Sequence, residues 1–473
     1  MLYYCNRYDY IFYNYLFTSN INVVLGGVFL YSKYNEQYKE KYKSLEDAAK
    51  LIQTGDKIVS NQFVSEPIGI LNAIGKRAAT GEFNDVEVLG LGPIASTEWI
   101  KPEIYPHLRA STVFVLSPTL REGVRNGYAN YLPNSVSRDV ACFISRVKDL
   151  APGKAKVISA VAPMDKNGYF CTATAPLYFH EAAQLENTMV IVEVNENQPY
   201  VFGDNFIHIS QVDCIVESNR RLFTIPPATD GSPEDIAIAD LLLEMIEDGS
   251  TIQLGIGGMP NLLGRLLANK RDLGAHTEML GDAYKYLWEI GVLNGKKKTL
   301  SPHKICACFT LGSAETYKWI HENPAVEMHS TAWTNNPYVI GQNHKMIAIN
   351  QAIEVDLTGQ VASESIGPKQ HSGTGGQLDF VRGAQLSPGG KAFICLHATA
   401  NPKKGRVSKI VPMLNHGSAV TVPRTDIDYV VSEYGVAKLW GKTVRERAQE
   451  LISIAHPDFR AELREEAKKL NYF

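Results

Sequence analysis

The sequence predicts an α/β protein whose parallel sheet is built twice, and three observations carry that prediction. From Tyr34 onward, helix-like and strand-like stretches alternate, the pattern of a parallel sheet covered by crossover helices. A helix, strand, loop, helix unit occurs once in each half. The chain has 473 residues, 45% hydrophobic and 21% charged, which is ordinary globular composition at a length that accommodates more than one domain.

The first 34 residues stand apart. No charged residue occurs from Ile11 to Ser32, and eight of the chain's 23 tyrosines lie in Met1–Tyr34. The polar run Thr18-Ser-Asn-Ile-Asn22 interrupts the apolar character, and neither a basic n-region beyond Arg7 nor a small-residue cleavage site is present. Residues 1–34 therefore read as an N-terminal extension, with membrane contact of an aromatic-rich segment as the alternative.

The repeat begins with Ala48–Val59, where a helix closes toward Gly55 and a strand follows. Leu242–Gln253 does the same around Gly249. Pro67 and Pro260 then precede a second amphipathic stretch in each half. Asp85–Pro93 is the next strand region of the first half. The loops Glu193–Pro199 and Gly203–His208 carry polar groups that equally suit turns. Between the halves, Ile225–Pro233 holds three prolines and a glycine and reads as a linker. The expected division is an extension 1–34, a domain 35–225 and a domain 226–473, the last opening with a helix from Pro233 capped by Ser232.

The second half carries the residues that point to chemistry. In Ile252–Leu267 a strand enters a glycine turn (Gly255, Gly257, Gly258) and then a helix near Pro260. Exposed N–H groups there suit an anion or an oxyanion. The proline at 260 breaks the dinucleotide fingerprint, and Gly435 is one residue too far from Gly441-Lys-Thr443 for a P-loop. Glu278, in Asp272–Asp282, is placed toward the C-terminal end of a strand, where open α/β sheets bind ligands. On its own it reads as a surface or salt-bridged glutamate rather than a nucleophile. Cys306 and Cys308 in Lys304–Thr310 read as a strand with both thiols on one face rather than a metal clip. The glycine-rich stretch Ser365–Ala384, with Gly373, Gly375 and Gly376, suits a loop closing over an elongated polar ligand. Lys403, Lys404, Arg406 and Lys409 form a basic run that reads as solvated.

Other classes lack their signals. The net charge of −3 gives no general attraction to nucleic acid. Seven scattered cysteines without a C-x-x-C pair argue against a disulfide framework and for a reducing, cytoplasmic setting. Serine-hydrolase, zincin and EF-hand motifs are missing, and His276, His344, His371 and His416 read as packed or surface residues.

Five motifs in order resemble the class I CoA-transferases, in particular the acetyl-CoA hydrolase/transferase branch with its 4-hydroxybutyrate and butyryl CoA-transferases. They are Gln253–Asn261, Leu273–Met279, Gly373–Phe380, Val430–Gly435 and Ile454–Phe459, within a likeness running from about Tyr38 to the end. The resemblance implies two similar open-sheet α/β domains of the CoA-transferase type with the active site between them. It implies Glu278 as nucleophile, and Gln253, Gly255, Ile256, Gly257, Gly258, Gly373, Gly375 and Gly376 as CoA contacts. No metal and no tightly bound cofactor are expected, CoA being both substrate and covalent intermediate. The implied partners are an acyl-CoA, short-chain carboxylates and a second copy of the chain in a homodimer or larger homo-oligomer. The expected reaction exchanges CoA between 4-hydroxybutyryl- or butyryl-CoA and acetate. An acyl-CoA hydrolase on the same fold and a CoA-binding protein without turnover are the alternatives.

Overall fold

The computed structural model describes residues 34–225, 231–255, 258–402 and 405–473. The expectations for residues 1–33, the middle of the linker (226–230), Ile256, Gly257, Lys403 and Lys404 lie outside the described residues.

The repeat emerges as two sheets of one topology. In the first half, seven parallel strands run in the spatial order Cys214–Glu217, Thr188–Val194, Ala155–Val161, Lys57–Ser60, Val86–Gly90, Leu108–Thr112, Asn130–Tyr131. In the second, a nine-stranded sheet contains the corresponding series Tyr429–Ser432, Lys391–Cys395, Met346–Gln351, Thr251–Leu254, Gly274–Leu280, Ile305–Thr310, Val326–Met328. In both, the first strand of the half is central. The next three stack on one side and the last three on the other, so the strand order reverses beside the central strand. That reversal opens a crevice at the strands' C-terminal ends, where ligands of such sheets sit.

The glycines that mark the repeat have a backbone reason. Gly55 and Gly249 both adopt a left-handed φ, +79° and +75°. The helices stop several residues earlier than the sequence suggests, at Ala49 and Met245, so each glycine belongs to the turn into the strand rather than to the helix cap. Ser232 caps its helix as expected, accepting from the Asp235 amide while Asp235 accepts from the Ser232 amide.

Two further strands extend the second sheet. Gly435–Lys438 adds an antiparallel strand at one edge, and Phe202–Gly203, from the first half of the chain, pairs with Val326–Met328 at the other. Gly203 is held there at φ +114°, and a Cβ would fall 2.1 Å from the Met328 carbonyl oxygen. The halves also share a core. Phe63, in a left-handed conformation at φ +58°, stacks on Phe309 of the second sheet with ring centroids 3.9 Å apart. No helix among the described residues is long and apolar enough to cross a membrane.

Candidate active site

Glu278 is the fifth residue of the strand Gly274–Leu280, and its side chain is partly exposed between buried neighbours. Alternation along the strand sends His276 and Glu278 to one face. His276 is fully buried, its Nε2 2.8 Å from the Thr334 carbonyl oxygen, and burial lowers its pKa to about 3. It is a neutral packed residue, as the sequence reading had it.

The Glu278 carboxylate accepts a hydrogen bond from Asn335 Nδ2 at 2.7 Å and another from the Gly376 backbone N–H. Gly376 approaches so closely that a Cβ would lie 1.9 Å from Glu278 Oε2 and 2.1 Å from Asn335 Nδ2. Cys308, on the adjoining strand, donates to the Glu278 carbonyl at 3.3 Å and lies 3.7 Å from Asn335 Oδ1, holding strand and amide together.

Two further carboxyls crowd this one. Asp379, at the start of the helix Gln377–Leu386, accepts from the Ser137 amide (3.0 Å) and hydroxyl (2.7 Å) of the first half. Asp139 is fully buried and accepts from Asn134 Nδ2 at 2.8 Å. Burial is the main reason all three carboxyls titrate high. Glu278 is pushed up to about 7, with Asp379 adding to the rise against the donors Asn335 and Gly376. Asp379 is raised to about 6 and Asp139 well above the usual carboxylate range. Carboxyls perturbed in this way cluster at functional sites, which makes this one a candidate.

The structure distributes the other expected residues as follows. Gln253, only 3% exposed, forms a reciprocal amide pair with Asn350 of the neighbouring strand at 3.1 and 3.3 Å. The Gly255 amide is occupied by the Ile349 carbonyl at 2.9 Å, so any oxyanion donor in this turn must come from the residues after it. Gly258 begins the helix Gly258–Leu266. Gly373, Gly375 and Gly376 form a buried turn. A Cβ on Gly373 would meet the Val113 carbonyl oxygen at 2.2 Å, and the Gly375 carbonyl accepts from the Val136 amide. The apolar residues that follow, Phe380 and Val381, are buried in the second half's own core, with Leu378 packed against it. Arg406 hydrogen-bonds Asp458, and Lys409 is partly buried.

Asn335, Asp139 and the role of Cys308 escaped the sequence reading. Asn335 precedes Asn336-Pro337 and looks like a turn former. Asp139 acquires meaning only when the first half is folded against the second.

Residues 31–227 match the acetyl-CoA hydrolase/transferase N-terminal domain, and residues 312–467 the C-terminal domain. The 4-hydroxybutyrate coenzyme A transferase of Clostridium kluyveri is 42% identical over 441 residues, 92% of this chain and 99% of that protein. The butyryl-CoA:acetate CoA-transferase of Anaerostipes caccae is 35% identical over 446 residues, covering 92% of this chain and 98% of that one. The crystal structure of RipA from Yersinia pestis superposes with a TM-score of 0.86 at 33% identity, covering 93% of this chain and 99% of its own. With two matched domains, near-complete coverage and one shared fold, the chain belongs to the acetyl-CoA hydrolase/transferase family.

Proposed function

We propose that this CoA-transferase exchanges CoA between a short-chain acyl-CoA, 4-hydroxybutyryl- or butyryl-CoA, and acetate by a ping-pong route through a glutamyl-CoA thioester on Glu278. The observation that carries the reading is the Glu278 carboxyl, held by Asn335 and Gly376 and raised to about 7 by burial.

A carboxylate in such a place is poised for covalent chemistry. The ionised oxygen attacks the thioester carbonyl and expels CoA thiolate, leaving a mixed anhydride. The thiolate then attacks the glutamyl carbonyl, and the acyl group departs as a free carboxylate. Burial penalises the charged Glu278, and the penalty is relieved once the residue becomes a neutral thioester, so the environment favours the intermediate over the resting anion. The Asn335 and Gly376 donors fix which oxygen faces the substrate. A second acid reverses the steps. Each tetrahedral stage carries an oxyanion, and N–H donors from the turn after Gly255 are its proposed partners, commonly worth about 3 kcal/mol per donor. Exclusion of water preserves the anhydride and thioester for transfer. CoA lies along Gln253, Gly255, Ile256, Gly257 and Gly258 and reaches the turn Gly373–Gly376 in this reading. The chain acts as a homodimer or larger homo-oligomer in a cytoplasmic setting.

The test is intact and peptide mass spectrometry after mixing the protein with butyryl-CoA and no acceptor. A CoA adduct on Glu278, cleared by acetate with formation of acetyl-CoA and absent in Glu278→Ala, is the expected result. Free CoA accumulating without adduct or acceptor would make the protein a hydrolase. CoA binding with no turnover would make it a binding protein.

A further inference from the structure

A second chemically distinct cluster lies one step down the strand from the carboxyl site. Cys306, fully buried, pairs in register with His276 on one side and Glu327 on the other. The Lys298 ammonium, 3% exposed, donates to Cys306 Sγ at 3.0 Å and to the Lys304 carbonyl at 3.1 Å. The Cys306 sulfur, the Glu327 carboxylate and a His329 ring nitrogen lie within 4.8 Å of one another. His329 Nδ1 is 2.9 Å from Asp204 Oδ2, and its ring packs on Trp333 with centroids 4.2 Å apart.

Burial alone would push the Cys306 thiol up, but His329 and Lys298 overcome it and bring the group below its ordinary value. Against its own burial, His329 is raised to about 9 by Cys306 and Asp204. Lys298 and His329 thus both favour the thiolate form of this sulfur. Thiolate character makes a cysteine both nucleophilic and oxidisable. A metal ion would have to displace the Lys298 ammonium from the sulfur, and the amine already supplies the positive charge that a metal would bring.

We propose that Lys298 and Cys306 form a peroxide-reactive pair that closes into a covalent N–O–S bridge. The first peroxide converts the Cys306 thiolate into a sulfenate and leaves as water. The second peroxide, the Lys298 ammonium and the sulfenate then give the N–O–S link and two further waters. Over both steps four electrons pass from the pair to two peroxides, and the three ammonium protons are shared between the bridge N–H and water. Both partners are already within bonding approach and held by the backbone, so closure requires no rearrangement of the chain. Their burial shields the product from bulky thiols. The bridge would lie on the strand beside the one that carries Glu278, with His329 and Trp333 linking it toward Asn335.

The test is peptide mapping of the full-length protein treated with graded hydrogen peroxide. The expected product joins the peptides containing Lys298 and Cys306, with a mass gain of about 14 Da over their sum, and dithiothreitol separates them again. Lys298→Met and Cys306→Ser should each abolish it. Mapping of the wild-type chain settles the matter even if those variants fold poorly. Cys306 recovered unmodified, or as a sulfinic acid about 32 Da heavier with the Lys298 peptide free, overturns the proposal. So does stoichiometric zinc that survives gel filtration and protects Cys306, which would assign the cluster to a metal.

Discussion

Gly376→Ala isolates the geometry of the proposed nucleophile from the stability of the fold. Gly376 has φ −94° and ψ 9°, a backbone that alanine adopts without strain. Its Cβ, however, would lie 1.9 Å from Glu278 Oε2, where ordinary contact begins at 3.4 Å. Either the carboxyl retreats by about 1.5 Å or the turn does, and the turn is fixed by Val113 and Val136 of the other half. A misplacement of about 1 Å costs on the order of 10²-fold in a positioned reaction, so kcat/KM should fall by about 10²-fold or more, roughly 2.7 kcal/mol in the barrier. The assay is butyryl-CoA-dependent formation of acetyl-CoA from acetate, run beside a thermal melt. Gly441→Ala serves as the control: at φ +77° with open space around it, it should cost about 1 kcal/mol of stability and leave turnover intact. A folded Gly376→Ala protein that forms the Glu278 adduct at a rate within threefold of wild type would refute the assignment of that carboxyl as the positioned nucleophile.

Four further outcomes follow from the same geometry. In the proposed route Glu278 attacks as a carboxylate, and burial raises it to about 7, so kcat/KM should rise with pH through about 7, and removing the Asn335 donor in Asn335→Ala should move that limb upward. Asp379→Asn removes a like charge and should move the limb downward, so opposite shifts in the two pH profiles check the electrostatics. Glu278→Gln should stabilise the fold at pH 8. A carboxyl whose folded value is raised contributes most below its unfolded value near 4 and loses that contribution as pH climbs toward 7; allowing for its partial exposure the gain is about 2 kcal/mol, vanishing near pH 4 in denaturant titrations. Phe63→Ala should cost about 3 kcal/mol by opening the stack on Phe309 between the halves, read as a lowered denaturation midpoint.

The sequence made the doubled sheet legible because the turn glycines Gly55 and Gly249 each need a backbone that other residues resist, and such needs recur wherever the unit recurs. It made Glu278 legible through the motif around it. It could not reveal Asn335, Asp139 or the role of Cys308, because each gains its function from residues distant along the chain: Asn335 lies 57 positions beyond the carboxylate it holds. The turn at Gly373–Gly376 is only partly legible for a related reason. A glycine-rich stretch signals close approach of something to the backbone, and here that something is Val113 and Glu278 as much as any ligand.

The strand Phe202–Gly203 has a consequence for how this chain can be divided. By chain order it belongs to the first half, yet it finishes the second half's sheet. A fragment beginning after the linker would present the bare backbone of Val326–Met328 as an open edge, a template for aggregation, while a fragment ending before the linker would carry a strand with nothing to pair with. The two repeats therefore share a topology without being interchangeable parts. Severed at the linker, they should each be insoluble when produced alone and should recover a working enzyme when produced together.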